Sequence, residues 1–209
     1  MTYFVTGATG FIGRYLVQSL LQKGKGTIYV LIRPRSIGKL DELREFWGKD
    51  SLKRVVPIKG DLGLPKLGVG KADVAKLKGK IRHFYHLGAV YDLEASAEAM
   101  EKANITGTKG ALEFAEAVNA GCFHLVSSIA AAGLYRGTFT EDMFEEAEEL
   151  EHPYHRTKHD SEAMVRANGR IPFRVYRPCA VLGHSQTGFI DKIDGPYYFF
   201  KALQKLRES

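Results

Sequence analysis

Thr6-Gly7-Ala8-Thr9-Gly10-Phe11-Ile12-Gly13 stands between a strand-like run, Thr2–Thr6, and a helical pattern. In that pattern Phe11, Ile12, Tyr15, Leu16, Leu20 and Leu21 recur up to Gly24. Strand, glycine turn and helix, in this order, make a phosphate-binding turn. Gly7 permits the tight turn, Gly10 lets backbone approach a pyrophosphate, and Gly13 lets the helix pack on the strand. The helix N-terminus adds unpaired N–H groups and partial positive charge. The spacing is G-x-x-G-x-x-G and not G-x-G-x-x-G, and glycine turns after strands are also ordinary punctuation. The surrounding strand–helix–strand unit favours a dinucleotide.

Outward from this turn, short apolar runs alternate with helical patterns. Strands are expected at Thr2–Thr6, Thr27–Ile32, Arg54–Lys59, His83–Leu87, Phe123–Ser127 and Phe173–Tyr176. Helices are expected at Ile37–Trp47, Lys71–Leu77, Ala95–Ala120 and Tyr154–Ala167, with an aromatic-rich one after Pro196. The strands are near-continuous apolar runs, as a sheet covered on both faces requires. Helical crossovers between them imply parallel pairing, so the expected fold class is α/β, a doubly wound parallel sheet. Residues 1–177 read as a nucleotide-binding domain carrying the catalytic residues, and 178–209 as the beginning of a substrate-binding region that continues beyond Ser209.

Composition excludes several classes. At 209 residues, 44% hydrophobic and 26% charged, the chain is neither disordered, collagen-like nor a disulfide scaffold. No apolar run reaches the ~18 residues of a transmembrane helix. No signal peptide is evident, and Cys122 and Cys179, far apart, read as packed, reduced thiols of a cytoplasmic protein. Between 141 and 151 stand seven acidic and no basic residues, a charge of −7 in a chain of net +6, which leaves +13 elsewhere. With no aromatic-interleaved basic cluster, that remainder suits phosphorylated small molecules better than nucleic acid. The acidic stretch reads as a solvated loop and helix, placed just before Tyr154 where it could cover a crevice.

Arg33 closes the second strand about twenty residues beyond the glycine turn, where an Arg accommodates the 2′-phosphate of NADP and an acidic residue would bind the ribose of NAD. Arg35 and Ser36 stand ready to assist, so NADP is the expected cofactor. Asp61, after the third strand, is equally an adenine contact or a turn residue. Tyr154 and Lys158, four apart, share a helix face. A phenol has an ordinary pKa of ~10. A neighbouring ammonium stabilises its phenolate and brings that value towards working range. Ser127 and Ser128 follow the fifth strand, whose C-terminal end opens on the same crevice, and a serine there would polarise a carbonyl oxygen beside the tyrosine. His152, His155 and His159 resemble a metal cluster but lie off the Tyr154/Lys158 face and lack an acidic partner pattern, so no metal is expected.

Together these motifs resemble the extended short-chain dehydrogenase/reductase family. The likeness runs through Thr6–Gly13, Gly60-Asp61-Leu62, His86-Leu87-Gly88-Ala89, Asn104-Ile105-Thr106-Gly107-Thr108, Ser127-Ser128-Ile129, Tyr154–Lys158 and Arg177-Pro178. It implies a Rossmann-type fold and catalytic Ser128, Tyr154 and Lys158. Ser128 is preferred to Ser127 because the family's catalytic serine stands five residues before a glycine, here Gly133. Cofactor contacts are implied at Thr6, Gly7, Thr9, Gly10, Phe11, Ile12, Gly13, Arg33, Arg35, Ser36, Asp61, Leu62, Leu87, Gly88, Ala89 and Asn104. Further ones are implied at Tyr154, at Lys158, which would hold the nicotinamide ribose, and at Pro178 beside the nicotinamide. Gly88 stands where an alanine is usual.

Within that family the chain looks most like the N-terminal reductase domain of bacterial fatty acyl-CoA reductases, through Val126–Leu134, Glu141–Glu148, Gly183–Gly188 and Asp194–Phe200. The implied activity is NADPH-dependent reduction of an acyl-CoA or other acyl thioester to aldehyde, and further to alcohol at most. The alternatives are an epimerase, dehydratase or dehydrogenase of a nucleotide sugar or alcohol, and a non-catalytic NADP-binding sensor. An intact Ser128, Tyr154 and Lys158 set speaks against the sensor. Tyr197, Tyr198, Phe199, Phe200, Leu203 and Leu206 are more apolar than one terminal helix can bury, which implies packing on further sequence or on a second copy. Cofactor binding with little turnover is therefore expected of these residues alone.

Overall fold

The computed structural model describes residues 1–89, 96–190 and 196–208. It divides into two compact units, Met1–Arg177 and Pro178–Ser209. The first holds a six-stranded sheet of order β3-β2-β1-β4-β5-β6, parallel at every pairing. Its strands are β1 Tyr3–Thr6, β2 Ile28–Ile32, β3 Val55–Lys59, β4 His83–His86, β5 Phe123–Val126 and β6 Phe173–Tyr176. The expected strands lie within one residue of these at either end. Pro57, which lacks an N–H, is tolerated because β3 is an edge strand.

Helices cover the sheet as the alternation of side chains dictates. On one face α1 (Phe11–Lys23) and α2 (Lys39–Trp47) bury Val17, Leu20, Leu21, Leu40, Leu43 and Trp47 against Val5, Ile28 and Val30. On the other, α4 (Lys71–Leu77), α6 (Gly107–Ala117) and α7 (Pro153–Asn168) close over Phe4, Phe84 and Phe123. These three rings stack across neighbouring strands at 4.8 and 5.2 Å. A short helix, α3 (Ser51–Arg54), was not foreseen. Its Arg54 donates to the carbonyls of Leu21 (2.8 Å) and Gly26 (3.1 Å), closing the C-terminal end of α1.

The long helix expected over 95–120 is interrupted, and Ala95 lies outside the described residues. A short α5 (Ala97–Met100) runs into a π-helical turn, Glu101–Thr106, before α6 begins. The Asn104 carbonyl accepts from Ser161 Oγ of α7 (2.9 Å), and its side-chain amide donates to Thr157 Oγ1 (3.2 Å). The π-helical turn thus faces α7, where Asn104 meets the Ser161 and Thr157 side chains. α6 then ends at Ala117, with Asn119 at φ 51°.

The second unit contains α8 (Pro196–Glu208), on which Phe199, Phe200, Leu203 and Leu206 are exposed. Tyr197 Oη accepts from the Gly183 amide (2.6 Å) within this unit. Cys179 is exposed and not packed as expected; Cys122 is half-buried. Among the described residues no helix is long and apolar enough to cross a membrane.

Candidate active site

The strand order reverses between β1 and β4, and a crevice opens at the C-terminal ends of the strands there. It holds a cavity of about 610 Å³. Gly7, Thr9 and Gly10 form its floor, Arg33, Arg35 and Ser36 one end, and Asp61, Leu62, Leu87, Gly88 and Ala89 the opposite wall. Gly7 has φ +72°, and a Cβ there would stand 2.8 Å from the Gly88 amide nitrogen. A Cβ on Gly13 would stand 2.1 Å from the Gly7 carbonyl oxygen, so glycine at 13 lets α1 close on β1. Gly10 caps α1 without a side chain and no acidic residue occupies the first turn, so the helix N-terminus faces the crevice with its positive end unneutralised. The bare Gly7 and Gly10 backbone fits a pyrophosphate.

Not every motif residue reaches this cavity. Gly13 is buried, while Phe11, packed edge-on to Tyr15, and the exposed Ile12 lie on the first turn of α1 outside the wall. Thr6 is fully buried: its Oγ1 accepts from the amides of Leu87 (3.2 Å) and Gly88 (3.1 Å). With those positions taken, its own proton goes to His86 Nδ1 (2.8 Å). The imidazole proton therefore sits on Nε2 and is donated to Thr108 Oγ1 (3.1 Å). Burial, with the nearby Lys158 charge, pushes the His86 pKa down to about 3, so the ring is neutral at physiological pH. This chain ties the glycine turn to the exit of β4. Asp61 Oδ1 accepts from the Gly63 amide (2.9 Å) while lining the cavity, so it acts as a turn residue and still presents carboxylate to a ligand.

Lys102 also lines the cavity, and linear reading misses it. The π-helical turn carries it over the Gly60–Gly63 segment, where a Cβ on Gly63 would meet its Cε at 3.4 Å. The only cue in the sequence would have been its place two residues before Asn104.

On the far side of the crevice α7 packs against the turn Ile129–Ala132, which Ser128 caps by accepting from the Ala130 amide (3.2 Å). Tyr154 and Lys158 are both buried on α7. Lys158 Nζ donates to the Val126 carbonyl (3.4 Å), and burial pushes its pKa down to about 8. Lys158, His86, Thr108, Asn104 and Ser161 share a cavity of about 10 Å³, close to the minimum for one water molecule. Asn104 is placed there, and not on the large cavity. Pro178 belongs to the second unit.

Two of the three neighbouring histidines, His152 and His159, have structural partners. His152 Nδ1 accepts from the Tyr154 amide (3.1 Å) and caps the helix. His159 Nδ1 donates to the Ala131 carbonyl (3.0 Å) while its ring stacks on Phe144 at 4.3 Å. The acidic stretch forms no helix: its backbone is pinned to the Ser128 turn through Leu134 N to Glu148 O (2.8 Å) and Glu148 N to Ala132 O (3.2 Å). Glu162, unremarked in the sequence, is wholly buried one turn beyond Lys158. Burial pushes its carboxyl up, but hydrogen bonds from Arg177 (2.6 Å) and Arg166 (2.8 Å), with the Arg177 charge, outweigh this and hold it below the usual range. Arg177 also donates to the carbonyls of Thr140 (3.2 Å) and Met143 (2.8 Å), strapping the acidic stretch to α7.

Comparison with known proteins identifies the family. The model of the male sterility protein family of NAD-binding domains matches residues 5–208. The chain belongs to this family. It is an extended short-chain dehydrogenase/reductase with a Rossmann-type, NAD(P)-binding reductase fold. Over 205 residues it is 32% identical to one of the subunits of linear gramicidin synthase from Brevibacillus parabrevis, covering 91% of this chain and 4% of that protein. To the putative fatty acyl-CoA reductase CG8303 of Drosophila melanogaster it is 27% identical over 243 residues, covering 95% of this chain and 45% of that one. The solved terminal R domain of the myxalamid PKS-NRPS biosynthetic pathway superposes with a TM-score of 0.78 at 31% identity, over 89% of this chain and 50% of that domain. The chain thus spans half or less of the length of these relatives.

Proposed function

We propose that this chain is the cofactor-binding and catalytic half of an NADPH-dependent reductase of acyl thioesters, fatty acyl-CoA among them. The observation that carries this reading is that the large cavity and the small one holding Lys158 share Gly88 and Ala89, which brings two features side by side. One is a phosphate-sized cradle with Arg33, Arg35 and Lys102 on its wall; the other is a tyrosine–lysine pair on a helix packed against the Ser128 turn. Three cations on the cavity wall favour the extra phosphate of NADP over NAD. Names of the relatives, a fatty acyl-CoA reductase and a peptide synthase with a terminal reductase domain among its kin, support a thioester in place of a nucleotide sugar.

When bound, the dihydronicotinamide supplies hydride to the thioester carbonyl carbon. Tyr154 donates its phenolic proton to the carbonyl oxygen, with Ser128 as a second donor to the developing oxyanion. Lys158, desolvated and cationic below about pH 8, stabilises the phenolate left behind. The resulting hemithioacetal collapses to aldehyde and free thiol. Association with a second copy through the exposed face of α8 is part of the same proposal. The test is NADPH oxidation driven by a long-chain acyl-CoA in the natural full-length polypeptide. Tyr154→Phe should abolish turnover and leave NADPH binding nearly intact. Retention of more than about a tenth of the activity means that under ~1.4 kcal/mol of barrier was lost and the acid lies elsewhere.

A further inference from the structure

The sheet face covered by α1 and α2 over β1–β3 carries a second group of chemistry-bearing side chains on β4–β6, at the end of the strands opposite Gly7 and Gly88. His83 opens β4, and Cys122 and His124 flank the first residue of β5. The register pairs Phe84 with Phe123 and Tyr85 with His124, so His83 stands beside Cys122, and all four polar side chains share one face. His83 Nδ1 and His124 Nε2 are 3.0 Å apart. These nitrogens and Cys122 Sγ all lie within 4.8 Å of one another, the one such group of three ligating residues among the described residues.

We propose that His83, Cys122 and His124 form a binding site for a zinc-class transition-metal ion, distinct from the cofactor cavity. Two imidazole nitrogens and a thiolate are the donor set such ions prefer. Tetrahedral bonds of ~2.0–2.1 Å place two nitrogens roughly 3.3 Å apart, so the observed pair needs to open by only a few tenths of an ångström. The ring of His124 is already oriented. Its Nδ1 lies 3.0 Å from Tyr176 Oη, and in the tautomer that donates to this oxygen the Nε2 lone pair is directed at the cluster. Tyr85 stacks on that ring at 4.3 Å and Tyr176 at 6.0 Å, fixing its plane.

Burial, and for His83 the charges of Arg82, Arg174 and the N-terminus, lower both histidine pKa values, His124 to about 4. Burial pushes the Cys122 thiol up while Arg174 and Arg82 oppose this, so a metal ion binds there at the cost of displacing the thiol proton. The same two guanidinium groups and the N-terminal amine repel a dication, and only three protein ligands are present. Affinity in the micromolar range is expected, weaker than that of closed four-ligand sites, with water in the open position.

Cobalt(II) is the probe. Added to metal-free protein in a Cys179→Ser background, where Cys122 is the sole thiol, it should produce a thiolate-to-cobalt charge-transfer band saturating at a single ion per chain. Zinc should bleach the band by competition. Cys122→Ser should remove it, and Tyr176→Phe, which leaves all three ligands in place, should weaken binding ~10–100-fold. NADPH binding by each variant reports that the fold is intact. His124→Gln should also remove the band, and should it fail to fold, Cys122→Ser and Tyr176→Phe still decide the matter. Absence of the band in the unsubstituted site, or a band undiminished by Cys122→Ser, overturns the proposal.

Discussion

Acid should unfold this chain in large part through one side chain, His86. The residue is 2% exposed, and its neutral form is fixed by the Thr6 and Thr108 hydroxyls. Burial and Lys158 set its folded pKa at about 3, against an ordinary 6.5 in the unfolded chain. The folded state therefore refuses a proton that the unfolded state accepts throughout that window. Stability from this group is fully present above pH 6.5 and drains away as pH falls towards 3. At ~1.36 kcal/mol per pH unit, about 2 kcal/mol is lost by roughly pH 5. His86→Gln keeps a donor and an acceptor but cannot titrate. It should be less stable than wild type near neutrality, yet lose about 2 kcal/mol less between about pH 7 and pH 5. The lowered histidines His83, His124 and His155 act in the same direction but remain in both proteins, so the difference isolates His86. Urea unfolding at several pH values, followed by circular dichroism, gives the two curves. Parallel curves would refute the buried neutral imidazole and the hydrogen-bond assignment built on it.

Arg33→Ala should remove most of a preference for NADPH over NADH that one charge-assisted pair, ~1.5–3 kcal/mol, makes about ten-fold or more; calorimetry finding equal affinities in the wild type would exclude this role. Gly13→Ala drives a methyl group to within 2.1 Å of the Gly7 carbonyl oxygen. It should cost ~1–3 kcal/mol or more and weaken NADPH binding, and wild-type melting with wild-type affinity would contradict it. Glu162→Ala leaves Arg177 and Arg166 without their buried counter-ion. A loss of ~3–5 kcal/mol in urea unfolding is expected, and one below ~1 kcal/mol would show that water takes the place of the carboxylate.

The sheet and the glycine turn are legible in the sequence because both rest on local rules. Strands such as Ile28–Ile32 must be apolar throughout when helices cover both faces, and Gly7 and Gly13 are demanded by contacts with backbone a few residues away or at the end of the next strand. Tyr154 and Lys158 are legible because helical spacing is fixed. What escapes is whatever depends on the partner element. The π-helical turn at Asn104 lies where Ser161 and Thr157 of another helix meet it, and no propensity in 95–120 signals it. Lys102 reaches the cavity only as a consequence of that turn. Glu162 looks like any helical glutamate until β6 brings Arg177 beside it. His83, Cys122 and His124 are separated by some forty residues and meet only through the register of β4 and β5.

The division of the crevice by its two halves has an evolutionary and practical consequence. Arg33 closes β2, while Tyr154 opens α7 on the other side of the strand-order reversal, and the Gly7–Gly88 contact is the seam between them. On the roles proposed for them, Arg33 and Tyr154 stand on separate elements to either side of the strand-order reversal, so the free-energy effects of substitutions at the two should add. Coenzyme preference in this scaffold is therefore a dial that can be turned independently of the chemistry, by selection or by an engineer, provided the glycine seam is left alone.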